Sequence, residues 1–195
     1  MLLIGACILK YPAVNYIIFD LEATCWPGSP KHMRQEIIEI GAIRIDEYAE
    51  QTGSYNRFVK PVVNPTLSNF CMQLTTIEQE QVDRARRYPE VIEEFMDWIG
   101  YYDDEEYVLA SWGGFDKRQL RRDCELHDLE TDWITSHIDL KEQYQRIKGL
   151  RKRKGLFNSI QLEGWHWEGI HHRAISDAFN AARIFVRHFD DWRYY

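Results

Sequence analysis

Two carboxylates one residue apart, Asp20 and Glu22, close the short apolar run Tyr16-Ile17-Ile18-Phe19. An extended chain alternates its side chains, so Ile18, Asp20 and Glu22 share one face and Phe19 and Leu21 take the other. Two anions held roughly 4 to 6 Å apart repel by about 3 to 4 kcal/mol at an effective dielectric near 20. A folded protein keeps both ionised only with a cation between them, so cation binding is the first chemistry the pair suggests. The bland alternative is two acids capping a strand at the solvent edge. Two further acids stand at suggestive places: Asp116 just after Gly113-Gly114, and Asp177 with the small residues Ala174, Ala178 and Ala181 around it. Small neighbours let a carboxylate be approached closely. His172 lies five residues before Asp177. Five residues is about 140° round a helix, so the imidazole belongs to the loop or first turn leading into it. Hard oxygen donors without cysteine favour Mg²⁺ or Mn²⁺ over zinc, and a histidine titrating near neutrality suits proton transfer.

The elements that must position these groups follow from patterning. The run ending in Asp20 and Glu22 is stopped by Trp26-Pro27-Gly28-Ser29-Pro30 and reads as a central strand buried on both faces. Glu36 to Asp46 is a second strand, rich in isoleucine with charges at its ends. Gln51-Thr52-Gly53-Ser54 has turn chemistry, and Arg57 to Val62 reads as a third strand, with Pro61 suited to a sheet edge. Short connections imply an antiparallel meander. Thr75 and Glu78 stand as a capping box for a helix running through Val82 and Ala85. Pro89 fits the first turn of another helix, with Ile92, Phe95, Met96 and Ile99 at helical spacing. Tyr107 to Trp112 is a second buried strand, and a helix begins near Phe115-Asp116. Ile138 to Ile147 reads as a helix, followed by the basic stretch Lys148 to Gly155. The last helix, about Ala174 to His188, buries Ala178, Ala182 and Phe185, with Phe189 continuing the stripe.

The chain has 195 residues, 45% hydrophobic and 28% charged, enough for one ordinary globular domain with a sizeable core. Cys7, Cys25, Cys71 and Cys124 are widely spread with no C-x-x-C pair, which signals neither zinc nor a disulfide framework and suggests a reducing, intracellular (cytoplasmic) setting. Met1 to Leu9 is apolar but lacks a basic leader and is too short to span a bilayer, so it is expected as an extra strand or loosely held terminus. A formal charge of −7 argues against generic polyanion binding, yet it counts any carboxylates that hold metal. The run Arg151-Lys152-Arg153-Lys154 is either a solvated turn or a grip on a substrate backbone.

Taken together, Asp20, Glu22, Asp116 and Asp177, with His172 five before the last, resemble the DEDDh family of 3′→5′ exonucleases. The resemblance spans about Tyr16 to Phe189. It rests on Phe19-Asp20-x-Glu22-Ala23-Thr24-Cys25, Cys71-x-x-Leu74-Thr75-x-Ile77-x-Gln79, Ser111-Trp112-Gly113-x-x-Asp116 and His172-Arg173-Ala174-x-x-Asp177-Ala178-x-Asn180. The Ala-Thr-Cys and Leu-Thr-x-Ile segments look most like the subgroup that trims 3′ ends of structured or small RNAs. The resemblance implies an α/β, ribonuclease H-like fold, a mixed central sheet flanked by helices, as one exonuclease domain over 1–195 with its core at about 14–190. It implies two divalent cations, Mg²⁺ or Mn²⁺, held by Asp20, Glu22, Asp116 and Asp177, with His172 as general base. Ala23, Leu74, Thr75, Trp112 and Phe115 would meet the terminal nucleotide. The implied partner is single-stranded or 3′-overhanging nucleic acid, RNA favoured, and no membrane. Two alternatives stand beside it: a DNA-directed or dual exonuclease, and a non-catalytic nucleic-acid or protein binding module on the same fold.

Overall fold

Strand β1, Val14–Ala23, carries alternate side chains into two separate cores. Ile17, Phe19 and Leu21 pack with residues such as Tyr88, Phe95 and Leu120, whereas Tyr16 and Ile18 pack with Tyr144, Ile160 and Phe185. A strand in contact with apolar layers on both faces must be central, and β1 is the middle strand of the five-stranded sheet formed among the described residues. The structure, a computed structural model, describes residues 14–28, 30, 32–103, 105–134 and 136–193. The expectation for Met1–Leu9 lies outside the described residues.

Strand β2, Ile37–Ile45, and β3, Gln51–Phe58, continue from β1 as an antiparallel meander. Strand β4, Glu106–Ser111, and β5, His137–Asp139, add to the other side of β1 in parallel. The sheet is therefore mixed, as expected for a ribonuclease H-like architecture. Helices α1, Asn69–Thr75, α2, Gln79–Asp83, α3, Tyr88–Trp98, and α4, Phe115–Leu126, precede β5. Helices α5, Leu140–Ile147, α6, Leu156–Leu162, and α7, Ala174–Arg187, follow it. Among the described residues no helix is long and apolar enough to cross a membrane.

Three expectations are corrected. The third strand starts at Gln51, not Arg57, because the reversal lies earlier: Asp46 Oδ1 accepts from Tyr48 N at 2.9 Å and Glu50 N at 2.8 Å, and Ala49 takes φ 64°. That side-chain turn places the supposed turn residues 51–54 in the ladder instead. Thr75 does not cap a helix but ends one. Ser68 caps α1 through Cys71 N at 3.0 Å, and the reciprocal box that starts α2 is Glu78 with Gln81. Finally, residues 137–139 are a strand and not part of α5; Asp139 at the end of β5 caps the helix through Glu142 N at 2.9 Å.

One close approach sets the position of the last helix. A Cβ at Gly41 would fall 2.2 Å from Ile175 N and 2.3 Å from the Ala174 carbonyl carbon, so only glycine lets the first turn of α7 lie on β2. Gly41 pairs with Asp20 across the sheet. The residue that admits the helix thus sits beside the first carboxylate of the candidate site.

Candidate active site

Period-two alternation turns Asp20 and Glu22 toward the face that α7 covers. Asp116 enters from the first turn of α4, where its carboxylate accepts hydrogen bonds from its own backbone N–H, the Ser111 hydroxyl and the Leu21 N–H. The bond to Leu21 ties α4 to β1 between the two strand carboxylates. Asp177, in the first turn of α7, accepts from the backbone N–H of His172. Ligand atoms of Glu22, His172 and Asp177 all lie within 4.8 Å of one another. The structure therefore brings together all five residues singled out in the sequence.

Their ionisation is mutually dependent. Burial, and then the charges of Asp116, Asp177, Glu22 and Glu39, hold the Asp20 carboxyl well above the usual carboxylate range. Burial followed by Asp177, Glu39 and Asp116 pushes Glu22 up to about 9. Burial raises Asp177 to about 7, against the opposing bond from His172, and raises Asp116 to about 6, against its three hydrogen bonds. Such a set holds protons when no cation is present and exchanges them for metal when one is. Oxygen donors fit a hard divalent cation, and Asp177 Oδ1 is buried with no hydrogen-bond partner, an acceptor left free for a ligand. His172 is displaced in the opposite sense. Desolvation and the adjacent His171 lower its pKa, leaving a neutral imidazole able to accept a proton at neutral pH.

Two residues given no role in the sequence expectations, Glu39 and Asn180, hold this arrangement. Glu39, fully buried on β2, accepts from Arg173 Nε at 3.1 Å and from Ala174 N at 3.0 Å, and pairs with the Arg173 guanidinium at 2.8 Å. Its carboxylate thus caps α7 from a neighbouring strand and fixes the residue after His172. His172 itself has φ 57°, a left-handed backbone that a non-glycine residue adopts only where its surroundings impose it. Asn180 clamps the preceding loop, donating to the Glu168 carbonyl at 2.8 Å and accepting from Glu168 N at 3.3 Å. The signals for Glu39 and Gly41 were present as a charge and a glycine inside an otherwise apolar strand.

The expected substrate contacts are placed unevenly. Ala23 is buried at the end of β1, and Thr75 is fully buried, donating to the Cys71 carbonyl at 2.9 Å and accepting from Ile77 N at 3.1 Å. Leu74 and Phe115 are exposed. Trp112 is half-buried against Tyr144, with ring centroids 5.4 Å apart, and donates from Nε1 to the Lys154 carbonyl at 3.1 Å.

A mixed sheet flanked by helices, with four acids converging at the end of its central strand, defines the ribonuclease H-like exonuclease class. A family model described as exonuclease matches residues 17–185, and the chain belongs to that family, in its DEDDh branch. The chain is 32% identical over 185 residues to the human (Homo sapiens) 3′-5′ exoribonuclease 1, covering 91% of this chain and 53% of that protein. It is 29% identical over 175 residues to a probable 3′-5′ exonuclease, KapD, of Bacillus subtilis (strain 168), covering 88% and 82%. Among solved structures, the nuclease domain of 3′hExo, described as a DEDDh family member bound to rAMP, superposes with a TM-score of 0.86 at 28% identity, covering 96% of this chain and 98% of that one. The chain spans about half the length of the first curated relatives it matches. Members of the family use divalent metal ions, and the carboxylate and histidine cluster described above suits them.

Proposed function

We propose that this chain is a metal-dependent exonuclease that removes 5′-mononucleotides one at a time from the 3′ end of RNA. The observation that carries the reading is the convergence of Asp20, Glu22, Asp116 and Asp177 from one strand and two helices, with an unpartnered Asp177 oxygen and a neutral His172 beside them. Two Mg²⁺ or Mn²⁺ ions held by the four carboxylates would stabilise charge on the attacking and leaving oxygens of an in-line displacement. His172 takes the proton of the attacking water as its oxygen bonds to phosphorus. The bond from phosphorus to the 3′ oxygen of the preceding nucleotide breaks. That oxygen gains a proton from solvent and becomes the new 3′ end, while the phosphate leaves as a 5′-monophosphate.

Exposed Leu74 and Phe115, with Trp112 and the chain at Ala23 and Thr75, are assigned to the terminal nucleoside. Thr75 has its hydroxyl committed to backbone, so its part is to shape the wall. RNA is favoured because the relatives include proteins named exoribonucleases. Purified protein with Mg²⁺ or Mn²⁺ should convert 5′-labelled RNA into a descending ladder and release labelled mononucleotide at once from 3′-labelled RNA. EDTA should stop both. Internal fragments from a circular strand would overturn the exonuclease reading, and faster loss of a matched DNA strand would overturn the preference for RNA.

A further inference from the structure

The turn between α5 and α6 carries Arg151, Lys152, Arg153 and Lys154, all exposed, in a chain whose formal charge is −7. Glu142 holds Arg153 at 2.7 Å, while Arg151, Lys152 and Lys154 have no acidic partner among the described residues. The C-terminal end of this turn reaches the candidate active site at two points. Lys154 is fixed by its carbonyl to the Trp112 indole, at the start of the turn that delivers Asp116. Phe157, three residues further on and the second residue of α6, is 42% exposed, with its ring edge-on to His171 at 4.8 Å. His171 in turn stacks on Trp167, centroids 4.1 Å apart and planes 17° from parallel, and directly precedes His172. Lys154 and the Phe157, His171 and Trp167 rings therefore mark out a track beside the segments that carry Asp116 and His172.

We propose that this track, the basic turn 151–154 with the rings of Phe157, Trp167 and His171, seats the single-stranded nucleotides lying 5′ of the one being removed. The inference rests on the reading of the site as a 3′-end nuclease. A polyanion is the occupant that a cluster of exposed, unpaired cations calls for in a chain whose formal charge is −7. Rings at the surface, Phe157 and His171 exposed and Trp167 half-buried behind them, supply stacking that every base accepts, which suits an enzyme that must bind each new end regardless of its sequence. Phosphate contacts and base stacking read no sugar hydroxyl, so the track holds RNA and DNA alike and leaves any sugar preference to the terminal pocket.

The test is equilibrium binding of end-labelled oligonucleotides of two to ten residues, in EDTA so that none is cut, at several salt concentrations. The native protein should bind more tightly as the strand lengthens over the first few nucleotides. Replacing Arg151, Lys152 and Lys154 together by Ser should lower the slope of log K against log[salt] by roughly 0.7 per lost contact, about 2 in all. Phe157→Leu, which keeps an apolar group against His171, should cost on the order of 10-fold in affinity for the longer strands, and Phe157→Tyr should restore it. Affinities and salt slopes equal to the native protein's at every length overturn the proposal. Cleavage assays on the same strands separate the two readings. A native protein that cuts no strand with Mg²⁺ or Mn²⁺, yet shows this length dependence and its loss in the variants, fails as a nuclease and keeps the track. One that cuts, with variants indistinguishable in length dependence, keeps the activity and loses the track.

Discussion

Glu22 on β1 and Glu39 on β2 face each other directly across the sheet, and both are buried. Glu39 has an arginine and a helix-terminal amide to itself, and through them it holds α7 in place. Glu22 looks instead toward Asp177 and Asp116 as well as Glu39, and its carboxyl is driven up to about 9. Glu36 repeats the first pattern, accepting from Val62 N at 2.6 Å, Val63 N at 2.9 Å and Asn64 N at 2.6 Å. The contrast shows that burial of an acid says little by itself. What separates Glu36 and Glu39 from Glu22 and Asp177 is whether donors complete the carboxylate's coordination or leave an oxygen open.

Removing a member of each set should therefore have opposite effects on stability. The largest expected effect is on activity: Asp20→Asn or Asp177→Asn should lower single-turnover cleavage by roughly 10³-fold or more. In the metal-free protein the same changes should leave the denaturant midpoint unchanged or raise stability by about 1 kcal/mol, because repulsion is relieved. Native turnover by either variant at ordinary Mg²⁺ would break the assignment. Next, His172→Ala should lose on the order of 10² to 10⁴ in rate while metal affinity, followed by calorimetry, changes little. Glu39→Gln, by contrast, should destabilise the fold by about 3 kcal/mol, since it strands Arg173 and uncaps α7. A midpoint equal to the native one would show that the cross-strand cap is dispensable.

The smallest expected effect is a dependence on pH, to which the open set contributes most and the buried Asp123, raised to about 7, adds. Acids whose folded-state pKa is raised bind more protons folded than unfolded, from the ordinary carboxylate range up to their raised values, here about 6 to 9. Metal-free stability should thus be greatest at low pH within that window and fall as pH rises toward 9. Saturating Mg²⁺ should flatten the slope, because bound cations replace the protons. Denaturation series at pH 5, 7 and 9, with and without metal, measure it, and stability that rises with pH in the metal-free protein would contradict the raised values.

The five-residue cluster was legible in the sequence because each member sits where a simple period ends: two at the close of an alternating strand, one after a Gly-Gly turn, and a histidine and an acid around a helix start. The central strand and the long helices were legible for the same reason. What escaped was decided by competition between local signals or by contacts distant in sequence. Asp46 and Ser68 supply stronger side-chain bonds than the nominal turn at 51–54 and the nominal cap at Thr75. Strand β5 is three residues long and α6 seven, too short for any period to declare itself. The pairing of Glu39 with Arg173 joins residues 134 apart in the chain, and no local pattern encodes it.

That same long reach has a consequence in time. Asp20 lies on the first described strand and Asp177 on α7, with Gly41 and Glu39 waiting on β2 for a segment made well after them. During synthesis from the N-terminus, at roughly 5 to 20 residues per second, the sheet's first strands exist well before their covering helix. A growing chain bearing Asp20, Glu22 and Asp116 lacks both the fourth carboxylate and the histidine until α7 and the loop before it have emerged. The assigned catalytic set is therefore completed only once α7 and the loop before it have emerged, so a chain that stops short of them, still tethered among ribosomal and messenger RNA, carries an unfinished blade.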